Sequence, residues 1–185
     1  MKLKKFIFKS VTSTNDKAIK IIKNSNTKFG IVVSEDQKKG RGQYGKKWVS
    51  YKGNLFVSIF FLLKDDKSSL KKKTKINCYL IKKLISKYYK NRITIKLPND
   101  LLIKKKKICG ILQETIIKAN VQYMIVGIGL NLVKNPKFKN YPTTNLSAIT
   151  NKYIDNKTVI LELKRIYEKF IPKFSRLNLK IINRV

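Results

Sequence analysis

Two periodicities in the apolar positions divide this chain into strands and helices. Alternating apolar residues with a high density of β-branched side chains predict strands at 6–11, 30–34, 55–63, 93–96, 107–117 and 123–133. Apolar residues at helical spacing predict helices at about 15–23, 76–89 and 159–170. Because strands predominate, the pattern indicates an α+β fold: a mixed or antiparallel sheet with helices packed on one face.

The predicted elements fit one domain. In the first helix, Ser13 or Thr14 can act as the N-cap, and the apolar stripe includes Ala18 and Ile22. Two prolines in the segment 135–151 predict a long loop before the last helix. With 185 residues, the chain is long enough for one sizeable core and short for two.

The high positive charge of the chain raises the question of whether it binds nucleic acid. The sequence has 43 Lys and Arg against 10 Asp and Glu, a net charge of +33. Nucleic-acid recognition favours arginine, yet only five of the 43 are Arg, and the lysines are spread along the whole chain. A bias toward A/T-rich codons explains this composition, so we expect no specific DNA binding and only weak, salt-sensitive adhesion to polyanions.

The cysteine content excludes two classes of site. Two cysteines, Cys78 and Cys109, and no His leave no disulfide framework and no zinc site. No apolar run reaches the length of a signal peptide core or a membrane span. These features predict a soluble, cytoplasmic protein without membrane association.

A glycine-rich segment is the first candidate for chemistry. Three glycines in six residues, at 40–45, surround Arg41 and are followed by Trp48. Such a loop can present backbone N–H groups and a guanidinium to a phosphate or carboxylate. An ordinary flexible hairpin loop explains the same pattern equally well.

A hairpin with a lysine run is the second candidate. A Pro-Asn-Asp turn leads into a strand, and a second strand begins at Lys107. Simple alternation predicts that Lys107 shares one face with Cys109 and Ile111, while Gly110 lies on the other. A lysine at the mouth of a buried strand can neutralise a carboxylate, although a solvated turn is the simpler interpretation.

Five short motifs, taken together, resemble the biotin protein ligases. They are Ser-Thr-Asn, Gly-Arg-Gly-x-x-Gly-x-x-Trp, Lys-x-Pro-Asn-Asp, Lys-x-x-Gly-Ile and Gly-x-Gly-x-Asn, at 13–15, 40–48, 96–100, 107–111 and 127–131. Each motif alone is weakly specific, and Ser-Thr-Asn alone is more simply a helix cap. All five in order, over about 6–133, are a specific signal.

The resemblance implies a biotin–[acetyl-CoA-carboxylase] ligase that uses biotin, ATP and Mg²⁺. The implied catalytic residues are Arg41 and Lys107. The implied biotin-binding residues are Ser13, Thr14, Asn15, Gln37, Arg41, Gly42, Gln43, Lys107 and Gly110. The implied ATP-binding residues are Gly40, Arg41, Trp48, Asn99, Asp100 and Asn131, and no protein ligand of a metal is assigned.

The resemblance also implies a partner and a domain plan. The fold would be that of biotin and lipoate protein ligases, similar to the catalytic domain of class II aminoacyl-tRNA synthetases. We expect residues 1–185 to form a single catalytic domain, without the N-terminal helix-turn-helix and the small C-terminal β-barrel of larger members. The partner would be the biotin carboxyl carrier protein of acetyl-CoA carboxylase. A homodimer is possible, and the sequence does not decide the oligomeric state.

Two residues depart from the family pattern. Leu97 replaces a tryptophan before Pro-Asn-Asp, and Gln43 replaces a second loop arginine. A degenerate ligase of low activity is therefore one alternative, and a lipoate or octanoyl ligase of the same fold is another. The latter is disfavoured, because those enzymes carry a Gly-Gly-Gly loop with a His, or a catalytic Cys with a Lys, and this chain has no Gly-Gly pair and no His.

Overall fold

A single seven-stranded sheet forms the centre of the molecule. The computed structural model describes residues 1–63 and 69–176. The strands are β1 (Lys4–Phe8), β2 (Phe29–Ser34), β3 (Leu55–Leu62), β4 (Ile93–Lys96), β5 (Asp100–Ile103), β6 (Lys106–Lys118) and β7 (Val121–Leu130). Their order is β1-β2-β3-β7-β6-β5-β4. Only β1 and β2 pair in parallel among the described strands, which confirms the mixed sheet.

Four helices accompany the sheet in the described part of the chain. They are α1 (Thr14–Asn24), α2 (Leu70–Ile85), α3 (Leu146–Thr150) and α4 (Asn156–Phe170), and α4 continues into a 3₁₀ segment at Ile171–Arg176. Ser13 is the N-cap of α1, and its hydroxyl accepts a hydrogen bond from the Asp16 N–H. None of the helices within the described residues is long and apolar enough to cross a membrane.

The helices lie on both faces of the sheet, which corrects one prediction. In β2, Ile31 and Val33 belong to the large core formed with α2 and α4. Val32, between them, belongs to a second core with Ala18 and Ile22 of α1. Since neighbouring strand residues point to opposite faces, α1 covers the face opposite α2 and α4. The prediction of helices on one face is therefore correct for α2 and α4 and wrong for α1.

Two helix predictions differ from the structure. The helix α2 begins at Leu70, earlier than predicted, because Ser69 caps a lysine-rich first turn that has no apolar stripe. The short helix α3 lies inside the segment predicted as loop, where the Asn145 side chain caps it. Both misses have one cause: a side-chain cap starts a helix where apolar periodicity is weak.

A β-bulge in β6 corrects the predicted side-chain faces of the lysine hairpin. Leu101 of β5 pairs with Cys109, but the next residue, Leu102, pairs with Lys107, so Ile108 is an extra residue in β6. The extra residue breaks simple alternation. Cys109 lies in the core, whereas Lys107 lies beside Gly110 and faces the opposite way.

Candidate active site

A cavity of about 500 Å³ opens where the start of α1, the loop 40–48, the turn 96–100 and the middle of β6 and β7 meet. It brings together most of the predicted site residues: Ser13, Thr14, Asn15, Gln37, Arg41, Gly42, Gln43, Trp48, Asn99, Asp100, Lys107 and Gly110. Gly40, the first residue of this loop, is buried and does not contribute to the lining. Asn131 lines a small adjoining cavity of about 20 Å³. The sequence therefore predicted a set of residues that the fold does assemble.

The start of α1 forms one end of this cavity. Gln37 Oε1 accepts hydrogen bonds from the Thr14 backbone N–H at 2.8 Å and from the Thr14 hydroxyl at 3.1 Å. Gln37 Nε2 donates to Ser50 Oγ at 3.3 Å. These bonds fix the glutamine amide against the helix start, where hydroxyl and amide groups can recognise a polar, uncharged ring.

Asn15 supports the wall of the cavity. Its side chain is almost fully buried, and its Oδ1 accepts a hydrogen bond from the Ser58 hydroxyl at 2.5 Å. Its Nδ2 donates to the Leu112 carbonyl at 3.2 Å and to Glu114 Oε2 at 2.6 Å. Since both ends of the amide have protein partners, these contacts indicate a structural role, and direct binding of a ligand by Asn15 stays a prediction.

Glycines in β6 and β7 allow two side chains to lie directly on the sheet. A Cβ at Gly127 would come within 2.4 Å of Asn15 Oδ1. A Cβ at Gly129 would come within 2.3 Å of the Trp48 ring, and one at Gly110 within 2.7 Å. Gly110 and Gly129 are register partners, so together they form a flat platform for the indole. The Gly-x-Gly-x-Asn motif marks this strand in the sequence, but the packing of Trp48 on it was not predicted.

Arg41 is held by two carboxylates that the sequence analysis missed. Its guanidinium donates to both oxygens of Glu114, at 3.0 and 2.9 Å, and to Asp16 Oδ1 at 2.7 Å. Partial burial acts to lower the pKa of Arg41, but the hydrogen bonds and charges of Glu114 and Asp16 outweigh it and raise the pKa. The arginine therefore stays charged, and an incoming anion competes with two carboxylates for it.

Lys107 lies deeper in the cavity and is fixed from several sides. Its Nζ is 2.9 Å from Asp100 Oδ1, and it lies 5.4 and 5.8 Å from the ring centroids of Trp48 and Tyr141. The Lys107 backbone N–H donates to the Pro142 carbonyl at 2.9 Å. The bulge at Ile108 aims this side chain into the cavity. Tyr141, from the predicted loop, was not foreseen as part of the site.

The loop 40–48 is a tight hairpin. The Trp48 N–H donates to the Gly40 carbonyl at 2.9 Å, and the Gly42 N–H donates to the Lys46 carbonyl at 2.6 Å. At its tip Tyr44 has a φ of 54° and is 90% exposed. The two interpretations of this segment are therefore compatible: a hairpin carries the candidate anion-binding groups.

The electrostatic character of the cavity is strongly positive. Six cationic side chains line it: Arg41, Lys46, Lys47, Lys96, Lys105 and Lys107. Among the described residues, Asp100 is the single carboxylate in the lining. A neutral hydrogen-bonding end next to a cationic end suits a ligand pair in which one uncharged ring and several anionic groups meet.

Neither cysteine is suited to act as a nucleophile. Burial, assisted by the charge of Asp100, raises the pKa of Cys78 to about 12. Burial also raises the pKa of Cys109 well above its usual value. Both thiols therefore stay protonated at neutral pH, so neither cysteine supplies a thiolate nucleophile.

A family comparison agrees with this geometry. The model of the biotin/lipoate A/B protein ligase family matches residues 7–131, more than half of the chain. The chain belongs to this family. The match covers the helix start, the glycine loop, the lysine hairpin and the glycine strand, which are the segments that build the cavity.

Individual members of the family are similar over most of this chain. The bifunctional ligase/repressor BirA of Bacillus subtilis is 29% identical over 172 residues, covering 88% of this chain and 52% of its own length. Biotin–protein ligase 2 of Arabidopsis thaliana is 32% identical over 154 residues, covering 78% and 44%. The chain thus spans about half the length of these relatives.

A solved structure shares the fold closely. The biotin protein ligase of Aquifex aeolicus, in complex with biotin and ATP, superposes with a TM-score of 0.76 and 28% identity, over 94% of this chain and 72% of that chain. An archaeal lipoate protein ligase from Thermoplasma acidophilum has a TM-score of 0.65 at 10% identity, which shows a common fold alone. Within the family, the chain is homologous to the biotin protein ligases.

Proposed function

We propose that this family member is a biotin protein ligase that makes biotinyl-5′-AMP from biotin and ATP and transfers biotin to a lysine of a biotin carboxyl carrier protein. The observation that carries the proposal is the division of one cavity into two ends. One end presents the fixed Gln37–Thr14 pair, and the other presents Lys107 among cationic side chains. Biotin has the matching division into a neutral ureido ring and a carboxylate.

The polar end supports recognition of the ureido ring. A ureido group has one carbonyl acceptor and two N–H donors, so it needs both kinds of partner in the site. The Ser13 hydroxyl can donate to the ligand, and the Thr14 hydroxyl, which donates to Gln37, can still accept. Gln37 Nε2 retains a second hydrogen beside the one it donates to Ser50. We assign Ser13, Thr14 and Gln37 to the biotin head group, and Gly110, which lies beside Lys107 and Trp48, to a backbone contact with biotin.

The cationic end supports the adenylation step. A biotin carboxylate oxygen attacks the α-phosphorus of ATP, a new O–P bond forms, and the bond to the β-phosphate oxygen breaks to release pyrophosphate. The two reactants are both anions, so fixed cations are needed where they meet. We assign Lys107 to that point, with Arg41 joining it once substrate has displaced the guanidinium from Asp16 and Glu114.

Magnesium fits this site as a companion of the triphosphate. Mg²⁺ is commonly bound by one or two protein oxygens together with substrate phosphates. Asp100 and Asn99 supply such oxygens in the lining, and the described residues contain no group of three or more His, Cys, Asp or Glu side chains suited to a metal. When bound, the ion would neutralise phosphate charge.

The adenine is assigned to the region of Trp48 and Asn131. The Trp48 indole N–H and Asn131 Oδ1 are both buried and lack a hydrogen-bond partner within the described residues. A purine offers both an acceptor and a donor that could pair with them. The adjoining cavity of about 20 Å³ holds only about one water molecule, so Trp48 must shift on its glycine platform when the base enters.

Transfer follows from the chemistry of the adenylate. The carrier lysine amine attacks the acyl carbonyl carbon, an amide bond forms, and AMP leaves, so no enzyme nucleophile is required. We propose the carrier of acetyl-CoA carboxylase as acceptor and the cytoplasm as the compartment. The free, buried Cys78 and Cys109 are compatible with a reducing environment.

Pyrophosphate exchange tests the proposal. Purified protein with Mg-ATP should incorporate labelled pyrophosphate into ATP when biotin is present and not when lipoate replaces it. Lys107→Ala should lower this rate at least about tenfold, because a cation is lost where two anions meet. Lys106→Ala is the matched control, since the neighbouring Lys106 is exposed and does not contribute to the cavity lining.

The outcomes separate the alternatives. Equal exchange with lipoate would favour a lipoate ligase, and no exchange from folded protein would favour a degenerate ligase. Equal losses in Lys107→Ala and Lys106→Ala would refute the role assigned to Lys107.

A further inference from the structure

The turn between β5 and β6 has an unusual backbone for its residues. Lys104 and Lys105 form a two-residue hairpin turn just beyond the Ile103–Lys106 pair, with φ of 48° and 62°. Such turns require positive φ at both positions and favour Asn and Gly. Residues with a Cβ and a long side chain adopt this conformation at a cost.

Composition alone does not explain lysine at this turn. A single third-base change converts a lysine codon to an asparagine codon, and the chain contains 16 asparagines. The other two-residue hairpin turn, between β6 and β7, has Asn120 at its second position, with a φ of 59°. Codon bias could thus have supplied the less strained residue at 105 as well. Strain at the edge of a site marks the turn as a candidate for function, and because Lys104 carries it too, the position relative to the cavity has to distinguish the two lysines.

The two turn lysines differ in their position relative to the cavity. Lys105 lines it, together with Leu102 and Lys107 of the same hairpin, whereas Lys104 does not contribute to the lining. Along the hairpin, Lys107 lies at the inner position, paired with Asp100, and Lys105 lies at the outer end next to solvent. A polyphosphate whose α-phosphate is at Lys107 would extend along this hairpin toward Lys105.

We propose that Lys105 binds the terminal phosphates of ATP and the pyrophosphate that leaves when biotin is adenylated. This inference rests on the proposed function, because it takes ATP as the substrate of this cavity. Lys96 and Lys47 line the same cavity and add to its positive potential. Lys105 thus binds the β- and γ-phosphates, which ATP has and AMP lacks.

The matched pair of turn variants Lys105→Asn and Lys104→Asn tests this assignment. Both relieve the same backbone strain and remove one charge from the same turn, but only Lys105 lines the cavity. The readout is the fluorescence of Trp48, the single tryptophan of the chain, during titration with α,β-methylene-ATP or with AMP in the presence of biotin. The methylene group prevents adenylation, so binding is measured without reaction.

We expect Lys105→Asn to raise the Kd for α,β-methylene-ATP about three- to tenfold, since one charge-assisted contact is lost. The Kd for AMP should stay within about twofold, as should both Kd values in Lys104→Asn. Lys105→Arg should retain the affinity for the ATP analogue. Both asparagine variants should melt at or above the wild-type temperature, which shows that they are folded.

Equal effects of the two asparagine variants, an equal loss of AMP affinity, or no loss at Lys105→Asn would each overturn the assignment. Failure of the proposed function has a different signature. Suppose that Lys105→Asn raises the Kd for α,β-methylene-ATP but not for AMP, while wild-type protein shows no biotin-dependent pyrophosphate exchange. The phosphate-binding role of Lys105 then holds, and the ligase proposal fails.

Discussion

Substituting Gly129 with alanine should push the Trp48 indole off its platform. The new Cβ would lie 2.3 Å from one ring carbon and 2.5 Å from another, closer than real Cβ contacts. A rigid ring cannot relieve this overlap by rotating its far end, so the whole indole or the strand must shift. Overpacking of this kind costs about 1–3 kcal/mol, offset by about 0.5–1 kcal/mol because alanine suits a strand better than glycine does.

A double-mutant cycle with Trp48→Ala isolates this contact. Free energies of unfolding from urea titrations followed by circular dichroism should show a net cost of about 1 kcal/mol, and at most about 2.5 kcal/mol, for Gly129→Ala in the wild-type background. In the Trp48→Ala background the cost should vanish or become a small gain. If Gly129→Ala costs the same in both backgrounds, Trp48 does not pack on Gly129, and the platform is wrongly described.

Three further outcomes follow from the site. Arg41→Ala should lower pyrophosphate exchange at least about tenfold, and near-wild-type exchange would show that the clamp of Asp16 and Glu114 never releases the guanidinium. Gln43→Arg should reduce self-biotinylation on mass-spectrometric mapping, since a charge-assisted contact worth about 1.5–3 kcal/mol would retain the adenylate longer; unchanged labelling would refute this. Transfer to an acidic carrier domain should slow as ionic strength rises, because a surface of net charge +33 steers the encounter; a salt-independent single-turnover rate would contradict steering.

Much of the fold follows from local sequence patterns. Apolar density and alternation located β2, β3, β6 and β7 to within a few residues, because these strands are rich in β-branched and aromatic side chains. The resemblance of five motifs in order to the biotin protein ligases, and no single motif among them, identified most of the cavity lining.

Tertiary structure decided the features that depend on distant residues. Asp16 and Glu114 are 98 positions apart, and they meet at Arg41 only because α1 packs beside β6. The bulge at Ile108 turns Lys107 into the cavity, and it is a property of the β5–β6 register rather than of either strand alone. The place of α1 opposite α2 and α4 is another such case. An apolar stripe determines that one side of a helix is buried. The chain connections and the apolar residues on the two faces of the sheet decide which face of the sheet the helix covers.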